Sequence, residues 1–374
     1  MNSFPKKHKI FILVDQLSKG GAERSAAFLS KFLADKNIVV KIMINNDEIE
    51  YKYSGEILNL GKIRADKTNY FNKIKRLYIF YKYINSNQFD FIIDFRMKRF
   101  DYQEFLFAVL LFKSKLIVTI HSSMIAYYFP KNKFLAKRIY EQAYKIVTVS
   151  SKINSKIIAD YDYDKNQIQT IYNPVDADYI DACSKELLDI DYEYILAIGS
   201  MGHVNVKQFD KLIISYNESI LPSKNIKLLI LGDGVMKTEL ELKVQKLNIQ
   251  NNVIFKGFVD NPYKYMKKAK FMVLSSKFEG FPMVLIETLT CGSPVVAFDC
   301  FSGPSEIICH KKNGLLVDNQ NFKKLTEAMN TMILDRELYT ICKENSKKST
   351  TQFSLEAIGN EWLQLMGIKN FKSE

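Results

Sequence analysis

Ten short apolar runs, spaced along the chain in two series with amphipathic stretches between them, constrain the fold more than any other feature. The first series is KIFILVD (9–15), IVVKIMI (38–44), FDFIIDF (89–95), KLIVTIH (115–121) and KIVTVS (145–150). Runs this apolar have no face suited to water, so they read as strands covered on both sides. The segments between them must supply the cover, which means helices over a parallel sheet. After the first run, AERSAAFLSKFLADK sets Ala22, Ala26, Phe28, Leu29, Phe32 and Leu33 on one helical face. A turn-rich junction around Pro174, TIYNPVDAD (170–178), breaks the series. The pattern then restarts with YILAIGS (194–200), IKLLILGDG (226–234), NVIFKGF (252–258), AKFMVLSS (269–276) and SPVVAFD (293–299). The expectation is two α/β domains, 1–173 and 178–350, each with a Rossmann-like parallel sheet. At 374 residues the chain also exceeds what one core supports. Such sheets take ligands at the carboxyl ends of their strands, and with two of them the cleft between is the expected site.

Composition narrows the classes. Apolar residues make up 47%, too many for disorder. No apolar run approaches the ~20 residues of a membrane span. IFILV near the basic N-terminus is too short for a signal-peptide core, so a cytoplasmic protein is expected. Cys183, Cys291, Cys300, Cys309 and Cys342 lack metal-ligand spacing and read as reduced, mostly buried thiols. The net charge of +12 is one-sided: residues 1–173 carry 29 basic and 16 acidic side chains, the remainder 24 and 25. A basic half predicts an anionic partner. No RRM, KH, helix-turn-helix or zinc pattern is present, so nucleic acid is not expected. KIRADKTNYFNKIKRLYIFYKY (62–83) and MIAYYFPKNKFLAKRIY (124–140) interleave aromatics with Lys and Arg, which suits an anionic membrane surface.

The candidate functional residues fall at strand ends. Gly20 and Gly21 follow the first strand and open a helix, where free N–H groups and close backbone approach suit a phosphate. The pattern is neither GxxxxGK[ST] nor GxGxxG, so ATP and dinucleotides lose support. His121 ends KLIVTIH, placed to hydrogen-bond a hydroxyl or titrate near neutrality. Lys207 follows the strand that ends at Gly199 and could neutralise a diphosphate. FEGFPMVLIE (278–287) holds Glu279 and Gly280 in a turn and Glu287 two turns into the next helix. Amides at Phe281, Met283 and Val284 form a second anion site, Pro282 having no N–H. Acids beside phosphate-binding amides suit a sugar nucleotide, with the acids on sugar and ribose hydroxyls.

Glu279 and Glu287 form an E-x7-E within EGFPMVLIE. With GGAER, IYNPVD, LGDG, GFVDNPYKYMKKAKFMVLSSKFEGFP and GPSEII, it resembles the retaining glycosyltransferases of family 4, of GT-B fold, over nearly the whole chain. NPYKYMKKA is similar to bacterial members that build capsule, O-antigen or glycoprotein glycans on polyprenyl-diphosphate lipids. The resemblance implies a nucleotide-sugar donor, usually a UDP-sugar, held by the C-terminal half. It puts Glu279 at the reacting sugar, Glu287 on the ribose, Lys207 on the diphosphate and His121 on the donor sugar. It sets Gly20 and Gly21 at the diphosphate and acceptor, and the base near Gly232 and Phe258. Front-face attack with retention, no cofactor and no bound metal follow by the same resemblance, since DYDYD (160–164) lies in a polar stretch far from the expected cleft motifs. It implies a peripheral protein on the inner face of the cytoplasmic membrane, and a last helix (354–374) that crosses back to the N-terminal domain. Ser200 stands where the family has an arginine, so Arg24 or His203 is the candidate replacement charge. The alternatives are a weakly active or inactive GT-B partner subunit and a GT-B sugar-nucleotide epimerase.

Overall fold

A computed structural model describes residues 7–63, 70–98, 114–130 and 132–369. The chain divides into two compact units, Met1–Pro174 with Leu355–Glu374, and Val175–Ser354. The first holds a seven-stranded sheet of β1 (Lys9–Val14), β2 (Val39–Ile44), β3 (Glu56–Asn59), β4 (Phe91–Asp94), β5 (Lys115–Ile120), β6 (Lys145–Thr148) and β7 (Ile168–Thr170). Its order is β3-β2-β1-β4-β5-β6-β7, and every pair is parallel. The second holds β8 (Tyr194–Ile198), β9 (Lys227–Leu231), β10 (Val253–Gly257), β11 (Met272–Leu274), β12 (Val295–Asp299) and β13 (Gly314–Asp318). Their order is β10-β9-β8-β11-β12-β13, again wholly parallel.

All ten expected strands form, each trimmed at one end or both. The three unforeseen ones, β3, β7 and β13, are all edge strands. Two of them show why: β3 has no fully buried residue and β7 has one. An edge strand is covered less and needs fewer apolar residues to hold its place, so its apolar signal is weak.

In the first unit the helix Gly21–Asp35 buries Ala26, Ala27, Leu29, Phe32 and Leu33. Phe28 and Ala22, expected on the same face, are only half-buried at its margin. The helix Leu355–Met366 adds Ile358, Trp362, Leu363 and Met366 to the same core, which also contains Ile10, Ile12 and Val14. The end of the chain is therefore part of the N-terminal unit's core. In the second unit, Val175 N–H donates to Phe353 O at 2.8 Å, so the entering and leaving segments lie side by side. All five cysteines are free; Cys300 and Cys342 are buried, Cys183 and Cys291 half-buried, and Cys309 exposed. Among the described residues no helix is long and apolar enough to cross a membrane.

Of the basic aromatic segment 62–83, residues 64–69 lie outside the described residues, as does Lys131 of the second segment; the helix Tyr70–Ser86 carries 70–83. Phe71, Ile74, Leu77, Tyr78 and Tyr81 of that helix are exposed, Phe71 by 76% and Ile74 by 66%. Their spacing of three and four residues gathers them on one face.

Candidate active site

In the second unit the loops that follow β8, β9, β10 and β11 meet at the carboxyl edge of the sheet. Gly199 N–H donates to Leu231 O (3.0 Å), Gly232 N–H to Gly257 O (2.8 Å) and Met201 N–H to Asp233 O (2.9 Å), binding the first three loops together. Gly232 sits at φ +126°, and a Cβ there would lie 2.0 Å from Gly199 O, so only glycine fits. The β11 loop joins through Lys277 N–H to Val206 O (2.9 Å) and Ser275 Oγ to Lys207 O (2.6 Å). Both flanking contacts hold the backbone that carries Lys207.

Lys207 and Glu279 are brought together: Nζ lies 2.6 Å from Glu279 Oε1, a charge-assisted bond between partners 72 positions apart. Their side chains retain 20% and 14% exposure, so the pair is reachable from solvent yet only partly screened. The lysine stem runs across Gly199, where a Cβ would lie 2.7 Å from its Cε. Gly199 thus clears the path of Lys207, a role not foreseen from its position as a strand end. Lys207 lies two residues before the helix Phe209–Asn217, rather than at its start.

The turn carrying Glu279 and Gly280 is fixed from beneath by Ser302 Oγ, which donates to Gly280 O at 2.6 Å. Gly303, at φ +95°, packs so closely that a Cβ would sit 2.4 Å from Pro282 Cδ. The helix Met283–Thr290 starts just after the turn. Its first amides, Met283 and Val284, have no acceptor one turn back within the helix. Phe281 is buried and packs edge-on against Phe353. Glu287 is in the second turn of this helix and only 3% exposed. Burial, reinforced by the nearby Glu279 charge, pushes the Cys300 thiol up to about 12; burial and then Glu287 do the same for Cys291. Neither thiol ionises at neutral pH. Phe258 is 72% exposed directly after β10, free to take a flat ring on its face. Ser200 and His203 are exposed on the β8 loop.

In the first unit, Gly20 is the extended residue before the helix Gly21–Asp35. The carboxylate of Glu23 folds back over it, within 1.9 Å of where a Gly20 Cβ would be. Burial pushes the Glu23 carboxyl upward, with Asp15 adding repulsion. Glu23, part of GGAER, thus lies half-buried against the glycine turn. Arg24 is already engaged, its guanidinium 5.1 Å from the centre of the Tyr51 ring.

His121, one residue beyond β5, corrects an expectation. Burial lowers its pKa to about 3, so it does not titrate near neutrality and the ring stays uncharged. Its Nε2 is 3.0 Å from Thr119 Oγ1, and the ring packs 5.2 Å from Phe95. Beside it, at the end of β4, Asp94 accepts from Arg96 Nη2 at 2.8 Å and from Lys98 Nζ. Burial opposes ionisation of Asp94, but the Arg96 and Lys98 charges win and hold it well below the usual carboxylate range. Three charges directly after an apolar run, FIIDFRMK, were the available sign of this buried cluster. Burial also pushes the Tyr128 phenol far up; a hydrogen bond to the His121 backbone opposes this, and the Glu23, Asp15 and Asp94 charges add to it.

Two α/β units, each built on a wholly parallel sheet, are the components of the GT-B fold. A protein of Anabaena crystallised with UDP shares the fold, with a TM-score of 0.76 at 17% identity over 96% of this chain and 99% of that one. Residues 19–179 match the family model Glycosyltransferase Family 4, and residues 183–349 match Glycosyl transferases group 1. An N-acetylgalactosamine-N,N'-diacetylbacillosaminyl-diphospho-undecaprenol 4-alpha-N-acetylgalactosaminyltransferase of Campylobacter jejuni is 28% identical over 96% of this chain and 99% of its own. An uncharacterised glycosyltransferase of Methanocaldococcus jannaschii is 31% identical over 66% of this chain and 67% of its own. The chain belongs to this glycosyltransferase family and is a transferase.

Proposed function

We propose that the protein moves a sugar from a nucleotide sugar, of UDP type, to a saccharide carried on a polyprenyl diphosphate, with retention at the anomeric carbon. The Lys207–Glu279 pair carries the reading. A diphosphate arriving at the strand ends competes for Lys207, which is held ready by the Gly199 and Ser275 contacts. Glu279, released from the lysine, is free to accept from sugar hydroxyls. Lys207 and the Met283 and Val284 amides would then face the charge that builds on the departing nucleoside diphosphate. Glu287 on the ribose, Gly232 and Phe258 at the base, His121 on the donor sugar, and Gly20 and Gly21 at the diphosphate and acceptor complete the assignment. The acceptor class is supported by the name of the Campylobacter relative. The UDP reading is supported by the ligand of the Anabaena protein. Among the described residues no group of three His, Cys, Asp or Glu could hold a metal ion, and the proposal assigns none. The exposed face of the helix Tyr70–Ser86 favours peripheral attachment to an anionic membrane.

UDP release is measured with UDP-GalNAc, UDP-GlcNAc, UDP-Glc and UDP-Gal, with and without a polyprenyl-diphosphate-linked saccharide. Acceptor-dependent release from one donor is expected. Lys207→Ala should lower kcat/KM by about 10- to 100-fold, the equivalent of ~1.5–3 kcal/mol for one charge-assisted contact. Glu279→Ala retaining full turnover would remove that residue from the chemistry. UDP binding without turnover on any donor and acceptor would favour an inactive partner subunit instead.

A further inference from the structure

Among the described residues, Ser25 Oγ and His121 Nδ1 are both sealed from solvent and lack a hydrogen-bond partner. They belong to different elements, the helix Gly21–Asp35 and the end of β5, yet they line one cavity. The remaining wall includes Phe95, Val147, Val149 and Trp362, and the volume is about 10 Å³. That is the space one water needs, provided it finds at least two polar partners.

The protonation of the ring follows from its neighbours. Thr119 Oγ1 donates to Asp94 O at 2.9 Å, and a carbonyl can only accept. The single hydroxyl proton of Thr119 is therefore spent, and its contact with His121 Nε2 at 3.0 Å requires that Nε2 carry the hydrogen. The neutral imidazole then has a bare lone pair at Nδ1. That lone pair needs a donor, and the nearby buried hydroxyl of Ser25 needs a partner as well. The other tautomer would set the Nε2 lone pair against the lone pairs of Thr119 Oγ1.

We propose that this cavity binds one water molecule, which donates to His121 Nδ1 and hydrogen-bonds Ser25 Oγ, so that Ser25 is a positioning residue for the imidazole. The chain Ser25, water, His121, Thr119, Asp94 carbonyl fixes both ring nitrogens and the plane of the ring. Leaving either buried group unmet costs more than a hydrogen bond typically contributes, so the bridge is favoured over a dry cavity. The depressed pKa of His121 agrees with a ring that never takes a second proton in the working range. The bridge needs no donor or acceptor to be bound, but it leaves His121 no ring nitrogen for a sugar hydroxyl, so any contact of this residue with the proposed donor is made by its main chain or ring edge.

The test uses the whole chain with its four histidines labelled with 15N, His121 being assigned by its loss in His121→Gln. Wild type should show the neutral Nε2–H pattern with a hydrogen-bonded Nδ1. Ser25→Ala should move the Nδ1 resonance downfield toward that of a free lone pair, and Ser25→Thr should restore it. An Nδ1–H tautomer, or an Nδ1 resonance unmoved by Ser25→Ala, overturns the proposal. Should Ser25→Ala fail to fold, a crystal structure of the wild type decides. One solvent peak within bonding distance of both atoms supports the bridge; a dry cavity, or a direct Ser25–His121 bond, refutes it.

Discussion

The imidazole of His121 has given up the titration for which histidine is usually retained, and the loss has a thermodynamic signature. Above pH 6.5, the ring's ordinary value, folded and unfolded chains are both neutral here and the residue contributes nothing to the pH dependence. Below it, the unfolded chain takes up a proton that the folded ring refuses until the pH approaches about 3. Stability therefore falls as pH falls, with a limiting slope near 1.4 kcal/mol per unit from this residue. His121→Asn removes the group from both states and should flatten that limb. Denaturant unfolding at steps from pH 6.5 down to about pH 5 measures it, and equal slopes in the two proteins would contradict a buried neutral ring. At this scale the sequence exposed the residues and concealed their states. KLIVTIH located His121 at a strand end, but its desolvation depends on groups such as Phe95, which the pairing of β4 with β5 brings beside it. Lys207 and Glu279 were each singled out, whereas their bond was illegible because it spans 72 positions. Glu23, in the first turn after Gly20, was open to a local reading, since an acid three residues past a helix start commonly folds back over it.

Elements were legible where burial was deep. Central strands must be apolar on both faces, and all of them could be read. The edges β3 and β7 could not, since their sequences satisfy a milder requirement, whereas β13 is buried at three of its five residues and its short run GLLVD was missed. The helix Leu355–Met366 shows a constraint of a different kind. Its Gly359 lies against the Phe32 ring, and a Cβ there would meet ring atoms at 2.5 Å. Within a helix, Gly→Ala ordinarily stabilises by about 1 kcal/mol. Overpacking against a ring that cannot flex away costs about 1–3 kcal/mol. The clash should win, and Gly359→Ala is expected to lower stability by about 1 kcal/mol in chemical denaturation. A stabilised variant would mean that this helix does not seat on Gly21–Asp35 as described.

For the whole molecule, the charge surplus and the exposed apolar face belong to the same unit. Residues 1–173 carry 29 basic against 16 acidic side chains, and Phe71, Ile74 and Tyr78 protrude from the helix Tyr70–Ser86. Lipid attraction of this kind combines a screened electrostatic part with a salt-resistant apolar part. The protein should float with anionic vesicles at low salt and less so at high salt. A Phe71→Ser, Ile74→Ser, Tyr78→Ser triple variant should lose the salt-resistant fraction. Binding that is absent at both salt concentrations, or unchanged in the triple variant, would end the membrane assignment.

Local pattern alone determined the two parallel-sheet units, their central strands, and the turn-helix that carries Glu279 and Glu287, because apolar periodicity and turn chemistry act over a few residues. Only the tertiary structure decided that Lys207 meets Glu279 and that His121 stays uncharged. These outcomes depend on which distant groups share a desolvated space, and desolvation is a property of the packed chain rather than of any segment.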